Sequence, residues 1–333
     1  MMLSFLLSLL VIFFSLIAIL IFIPFAKKLK LVDLPNNRKT HKINAKLIGG
    51  IILILNFTLL VFLLDLDRKL NSLLGCSVLV GLIGIIDDKY DLKVTNKLIL
   101  LFFPIILIVL DGYALTNLGE YNLIGKINLG SFAVIFTILS SYLLINATNY
   151  IDGRDGVLIS IFFFINLKLI FLIDNSEEIS KQLLIYIDLI LIVLFFFNIT
   201  NNKNLKIFLG DSGSLAIGFF LSFILIYLAN NKLAHPILLA STVTVIVFDF
   251  LCISIERLFK NSGRIYKPDN NHIHYLIYNK TGSNLKMLLI INSINILFFS
   301  INYYLFIVYN PLAIISFIIE FFLFLNLRKI LIK

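Results

Sequence analysis

Six aspartates stand out by where they fall. Asp87, Asp88 and Asp91 lie in GIIDDKYDLK, Asp152 and Asp155 in NATNYIDGRDG, and Asp211 in FLGDSGS. Each group sits at the end of a long apolar run, in a segment that is otherwise basic. Aspartate caps helices and solvates short loops, which accounts for one or two of them. Six such residues, three of them beside glycine-rich turns, point to a common purpose. Grouped carboxylate oxygens suit magnesium, which keeps several waters and shares the phosphates of a substrate. The glycines of GDSGS and DGRDG let backbone N–H groups approach an anion. Arg38, Lys39, Lys97 and Arg264, with His41, His272 and His274, add positive charge. Carboxylates, a divalent metal and cations together describe phosphoryl chemistry on an anionic substrate.

The elements that must position these residues follow from composition. The chain has 333 residues, 60% hydrophobic and 14% charged. Soluble domains are about 45–50% apolar and about 25% charged. The chain cannot clothe a soluble surface with charge, so it reads as an all-α polytopic membrane protein, a single integral domain over 1–333. A crossing needs about 20 apolar residues. Eleven runs qualify, at 3–25, 47–64, 70–86, 98–110, 131–147, 157–173, 183–199, 212–229, 234–255, 287–309 and 311–327. With the N-terminus outside, the inner segments carry 22 Lys and Arg and the outer segments 5. That is a strong positive-inside bias, and it places the C-terminus in the cytoplasm. All six aspartates then share the cytoplasmic face. The outer segment 111–130, with short apolar stretches bounded by glycine, reads as a small hairpin. The formal charge of +9 is this loop bias, and no nucleic-acid partner is needed. Cys76 and Cys252 both sit in apolar runs, which excludes a disulfide scaffold and a thiolate metal site.

The same segments carry a family resemblance. The ordered succession DLPNNRKTHK with Gly49-Gly50, DDKYDL, NATNYIDGRDG, FLGDSGS and PDNNHIHY resembles the polyprenyl-phosphate N-acetylhexosamine-1-phosphate transferases (glycosyltransferase family 4). That family includes bacterial enzymes that start O-antigen, teichoic acid and enterobacterial common antigen synthesis. The phospho-N-acetylmuramoyl-pentapeptide transferase is a relative. The resemblance implies a bacterial inner-membrane enzyme with its site facing the cytoplasm. The phosphate of undecaprenyl phosphate would attack the β-phosphorus of a UDP-N-acetylhexosamine, and UMP would leave. It implies magnesium as cofactor, with manganese as its substitute, and a homodimer among membrane lipids. By position, Asp211 matches the metal aspartate and Asn149 a residue that joins it. Asp87 and Asp88 match the essential pair, which together with Asp211 are the catalytic candidates. A phosphate monoester is already mostly ionised near neutral pH, its second pKa being about 6, so Asp87 reads as an orienting group rather than an obligate base. Asp155 and Phe208 match uracil contacts, and Lys97, His272 and His274 look placed for the pyrophosphate. Arg38, Lys39, His41, Asp91, Asp152 and Asn146 complete the substrate-binding candidates, with Asn146 weighed against plain helix packing. The chain departs from the pattern twice. Tyr275 follows His274 where the family often has a further His, and Asn44-Ala45 replaces an Ile-Pro. Asp91 favours the amino-sugar branch, since the pentapeptide branch usually carries Lys there.

Three charged residues are expected inside spans away from the aspartates: Lys168, Asp188 and Glu320. At 1.5 Å per residue, Lys168 and Asp188 lie at matching depth in adjacent spans, so they are expected to pair. Asn295 is the candidate partner of Glu320. A transporter or lipid flippase would instead line a midplane path with ionisable groups. Acids gathered at one face favour an interfacial enzyme over that alternative.

Overall fold

The computed structural model describes residues 2–33, 45–174, 177–259 and 271–332. Thirteen helices are described: α1 (Met2–Phe25), α2 (Gly49–Leu63), α3 (Arg68–Tyr90), α4 (Val94–Ile108), α5 (Ala133–Ile151), α6 (Val157–Leu172), α7 (Glu178–Ile199), α8 (Gly210–Asn230), α9 (Pro236–Thr242), α10 (Thr244–Phe259), α11 (Ile273–Thr281), α12 (Asn284–Val308) and α13 (Pro311–Ile332). A single π-helical turn, Val109–Tyr113, continues α4. Each of the eleven apolar runs falls on one of these helices, with the 234–255 run divided between α9 and α10.

Among the described residues, seven helices are long and apolar enough to cross a membrane, or eight if α9 and α10 form one span bent by 74°. The chain is therefore a multi-pass membrane protein. Two of the expected spans are short. α2 has 15 residues and α6 has 16, about 22–24 Å at the helical rise, against a hydrocarbon core of about 30 Å.

α8 is the axis of the bundle. It is apolar on every side and buried on every side, as a helix of that composition must be. It packs on α3, α5 and α2. Gly84 allows one of these close approaches. A Cβ at Gly84 would collide with the backbone of Asp211 and Ser212, so α3 and the first turn of α8 touch main chain to main chain.

Two small sheets mark the two ends of the bundle. β1 (Val32–Asp33), β2 (Ala45–Leu47) and β5 (Ile207–Phe208) form a three-stranded sheet in the order β1-β2-β5. Val32 pairs with Lys46 antiparallel, and Lys46 with Ile207 parallel. This sheet leads straight into α8 at Gly210. β3 (Asn117–Tyr121) and β4 (Gly125–Asn128) form the hairpin expected within 111–130. Asn230, at the far end of α8, donates to Ala114 O at 2.9 Å, so the hairpin lies at the end opposite Asp211.

The charged residues within the spans meet partners other than those expected. Lys168 and Asp188 do not pair with each other. Lys168 Nζ donates to Thr242 O at 2.7 Å and to Asn295 Oδ1 at 2.8 Å. Asp188 accepts from Asn166 Nδ2 at 3.0 Å. The cause is the break after α9, which leaves the carbonyls of its last turn without helical partners. A buried ammonium meets one of them. Asn295 is thereby taken, and Glu320 accepts instead from Asn302 at 2.6 Å and Ser316 at 3.3 Å. Matching depth along a span does not fix which way round the helix a side chain points.

Candidate active site

The site forms where the C-terminal ends of α3 and α5 meet the N-terminal end of α8. Local sequence sets each end. α3 stops at Asp91, which takes the left-handed conformation (φ 49°) and donates its N–H to Asp87 O at 2.8 Å. Gly156 (φ 77°) turns the loop that leaves α5, and Gly210 (φ 70°) turns β5 into α8. Positive φ suits glycine, and at Gly210 a side chain would also strike the Asp88 carboxylate.

Asp87 and Asp88 are adjacent but do different things. Asp88 Oδ1 accepts the N–H of Asp211 at 2.7 Å, and Oδ2 that of Ser212 at 3.1 Å. It caps α8 from another helix, filling two of the donors that every helix N-terminus leaves open. Asp87 instead faces Lys97. The Lys97 ammonium bridges Asp87 Oδ2 at 2.7 Å and Asp211 Oδ2 at 3.0 Å. Asp87 Oδ1 accepts Leu92 N–H at 2.8 Å. Asn149 Nδ2 donates to Asp211 Oδ1 at 2.6 Å and to Ser214 Oγ at 2.8 Å. Four elements thus converge on the Asp211 carboxylate, which also benefits from the α8 dipole.

Burial, with the negative charges of Asp211, Asp88 and Asp155 around it, pushes Asp152 well above the usual carboxylate range. Crowded acids of this kind call for a cation. The donor set fits magnesium, which takes hard oxygen ligands. Both oxygens of each carboxylate have partners, but Asp87 is 5% exposed whereas Asp211 is 36% exposed. Asp211, with the Asn149 amide beside it, is therefore the carboxylate open to a ligand. Among the described residues no three His, Cys, Asp or Glu form a metal cluster.

Beyond this centre, Asp155 Oδ2 pairs with the buried Lys206 ammonium at 2.6 Å. Lys206 also donates to Asn198 O at 3.0 Å and lies 5.5 Å from the Phe208 ring centroid. The two expected uracil contacts are thus joined through a lysine. His272 and His274 open α11. Tyr150, His272 and His274 stack in series, with ring planes 16° and 18° apart. Tyr275, the departure from the family pattern, donates its hydroxyl to Gly153 O at 3.0 Å, tying α11 to the DGRDG loop.

Not every expected residue joins the cluster. Asn146 donates to Tyr142 O at 2.7 Å, a bond within its own helix that supports α5. Asp91 is exposed and closes α3 through its backbone. Arg38, Lys39, His41 and Arg264 lie outside the described residues.

Several contributors are not flagged by sequence reading. Lys206 reads as one more basic loop residue, although it falls two residues before the expected Phe208. Asp249 hides in the apolar VFDF, and Arg328 reads as a topology charge. A lone acid near the cytoplasmic end of an apolar run, with an arginine at the same depth, was the signal available for that pair.

His274 supports a pH prediction. It is fully buried, and neither ring nitrogen has a hydrogen-bond partner among the described residues. Burial, then the neighbouring His272, lowers its pKa from 6.5 to about 3. The unfolded chain therefore takes up this proton first as pH falls, and stability contributed by His274 is lost from about pH 6.5 downward, toward 3. Melting temperature of the purified protein should fall along that limb, and His274→Gln should flatten it. Parallel acid limbs in the two proteins would refute the assignment.

Comparison with known proteins finds relatives of the chain. The model of Glycosyl transferase family 4 matches residues 70–229, the span that holds the three aspartate groups. The undecaprenyl-phosphate alpha-N-acetylglucosaminyl 1-phosphate transferase of Escherichia coli (strain K12) is 31% identical over 266 residues, covering 76% of this chain and 70% of that protein. The Pasteurella multocida (strain Pm70) protein of the same name is 30% identical over 285 residues, covering 82% and 78%. That of Yersinia pestis is 29% identical over 260 residues, covering 76% and 70%. With these relatives, and with motifs that fold into one charged centre, the chain belongs to glycosyl transferase family 4.

Proposed function

We propose that this protein transfers an N-acetylhexosamine 1-phosphate from a UDP-sugar to undecaprenyl phosphate. An oxygen of the lipid phosphate attacks the β-phosphorus of the donor. The bond from that phosphorus to the bridging oxygen breaks, UMP leaves with both electrons, and an undecaprenyl-pyrophosphoryl sugar remains. The observation that carries the reading is the Asp87–Lys97–Asp211 bridge, held by Asp88 at the N-terminus of the central helix. It offers two carboxylates, an ammonium and a helix N-terminus at one membrane-facing end. Phosphoryl transfer needs positioning and charge stabilisation more than covalent help from the protein.

Lys97 neutralises its two neighbouring aspartates and can turn toward a phosphate oxygen. Asp87 orients Lys97 and the incoming lipid phosphate. Asp88 holds the backbone that carries Asp211. Magnesium would be held by Asp211 with Asn149 and would neutralise charge on the pyrophosphate. The Asp155–Lys206–Phe208 group lies where the nucleoside end would rest, and His272 faces the phosphates. The names of the relatives support N-acetylglucosamine as the sugar and undecaprenyl phosphate as the acceptor. The bias of 22 cations to 5 supports a site on the cytoplasmic side of a bacterial inner membrane.

The test uses purified protein, undecaprenyl phosphate, magnesium and a panel of UDP-sugars, with UMP release as the readout. UDP-N-acetylglucosamine is expected to give the fastest release, and chelation of the metal to stop it. Folded protein that releases no UMP with any sugar would overturn the transferase reading.

A further inference from the structure

Asp249 sits on α10 in an otherwise apolar turn and is 1% exposed. A carboxylate in that position is costly unless it is fully paired, and this one is. Its Oδ2 meets His272 Nδ1 at 2.7 Å, and its Oδ1 accepts the N–H of Ile273 at 2.8 Å. Arg328, fully buried near the end of α13, reaches the same Oδ1 at 2.5 Å and Glu256 at 3.4 Å. The C-terminal helix, α10 and the start of α11 therefore meet at one carboxylate.

The arrangement constrains the histidine. Asp249 is ion-paired with Arg328, and an ionised carboxylate only accepts. A bare Nδ1 lone pair at 2.7 Å from it would be repelled. Nδ1 of His272 must carry the proton, whether the ring is neutral or charged. Tyr150 and His274 stack on the ring at centroid distances of 5.6 and 5.7 Å and limit its rotation. Nε2 is then the nitrogen left for a ligand. Partners that fix the tautomer and orientation of a functional histidine are a recurrent device.

We propose that Asp249 is the positioning residue for His272, locking its Nδ1–H tautomer so that Nε2 faces the phosphates of the donor, with Arg328 holding Asp249 in place. The inference rests on the transferase reading for the role of His272, while the hydrogen bond itself does not.

The alternative is that Asp249 serves only as the counterion of Arg328 and so anchors α13. Two measurements separate these. The chain has four histidines, so 15N-histidine labelling gives a simple spectrum in which His272→Asn assigns His272. In the wild type its Nδ1 should report as protonated, and in Asp249→Asn the tautomers should mix. UMP release should drop in kcat by about 10- to 100-fold, the range for removing the partner of an oriented histidine. Arg328→Met strands a buried carboxylate and should lower the melting temperature. Asp249→Asn/Arg328→Met removes both charges, so melting should recover while kcat and the tautomer do not.

A wild-type tautomer in Asp249→Asn, or a double variant that regains kcat along with its melting temperature, would overturn the inference. If the wild type itself releases no UMP, the transferase reading falls and the tautomer measurement still decides the role of Asp249.

Discussion

UMP release should fall about a thousandfold or more in Asp211→Asn, with insertion, solution behaviour and melting temperature close to wild type. The substitution keeps the shape of the side chain and removes its charge. Asparagine can still accept from Asn149, which now bonds Oδ1 at 2.6 Å, and the backbone N–H remains capped by Asp88. What disappears is the anion opposite Lys97 at 3.0 Å and the hard oxygen through which magnesium would be held. Losing a single preorganised electrostatic contact at a reacting centre costs about 10²–10³ in rate, and Asp211 contributes two. Activity should not return when magnesium is raised, because an amide oxygen is a poor substitute for a carboxylate in a site with so few protein ligands. Turnover near wild type in Asp211→Asn would remove Asp211 from the metal role and shift that role toward Asp152.

The contrast with Asp88 shows what could and could not be read from the chain alone. That the aspartates other than Asp91 gather was legible, because they lie at the ends of apolar runs and the runs are long. Their convergence followed from topology. The cation bias put all six on one face before any contact was known, and the hairpin at the other end was legible from its glycines. What each residue does there was not legible. In the sequence Asp87 and Asp88 are neighbours of one type. On a helix, adjacent residues point about 100° apart, so one meets Lys97 and the other meets α8. Lys168 and Asp188 part for the same reason. Their spacing fixes height along the membrane normal and not the direction round the helix, and the break after Thr242 exposes a carbonyl that Lys168 meets. Asp249 and Arg328 were missed because their value is mutual. They lie 79 residues apart, and neither has a neighbour in sequence that betrays the other. Lys206 differs again. Its charge was counted as part of the topology, which is true of the loop it occupies, yet its ammonium is buried against Asp155.

Asp88→Ala should lose activity by about 100-fold and stability together, unlike Asp211→Asn. Asp88 does not offer a free oxygen to a substrate, since its two oxygens hold the N–H groups of Asp211 and Ser212 at 2.7 and 3.1 Å. Removing a helix N-cap costs about 0.5–2 kcal/mol, and leaving donors half-buried without partners adds to that. The activity loss is indirect. The first turn of α8 carries Asp211, and a displacement of about 1 Å at a reacting group can cost 10²-fold. Asp88→Asn keeps one acceptor and should fall between the wild type and Asp88→Ala in both melting temperature and kcat. Gly84→Ala tests the same turn from the other side. Its new methyl would press on the Asp211 and Ser212 backbone at 2.6 Å and closer, so it should reproduce the kcat loss without touching any carboxylate. KM for the UDP-sugar should change less than kcat in Asp88→Asn and Gly84→Ala, because the proposed nucleoside contacts at Asp155, Lys206 and Phe208 form a separate group joined through Lys206. An Asp88→Ala protein that melts like wild type yet is inactive would assign Asp88 to the chemistry itself. It would also return the two adjacent aspartates to a single shared role.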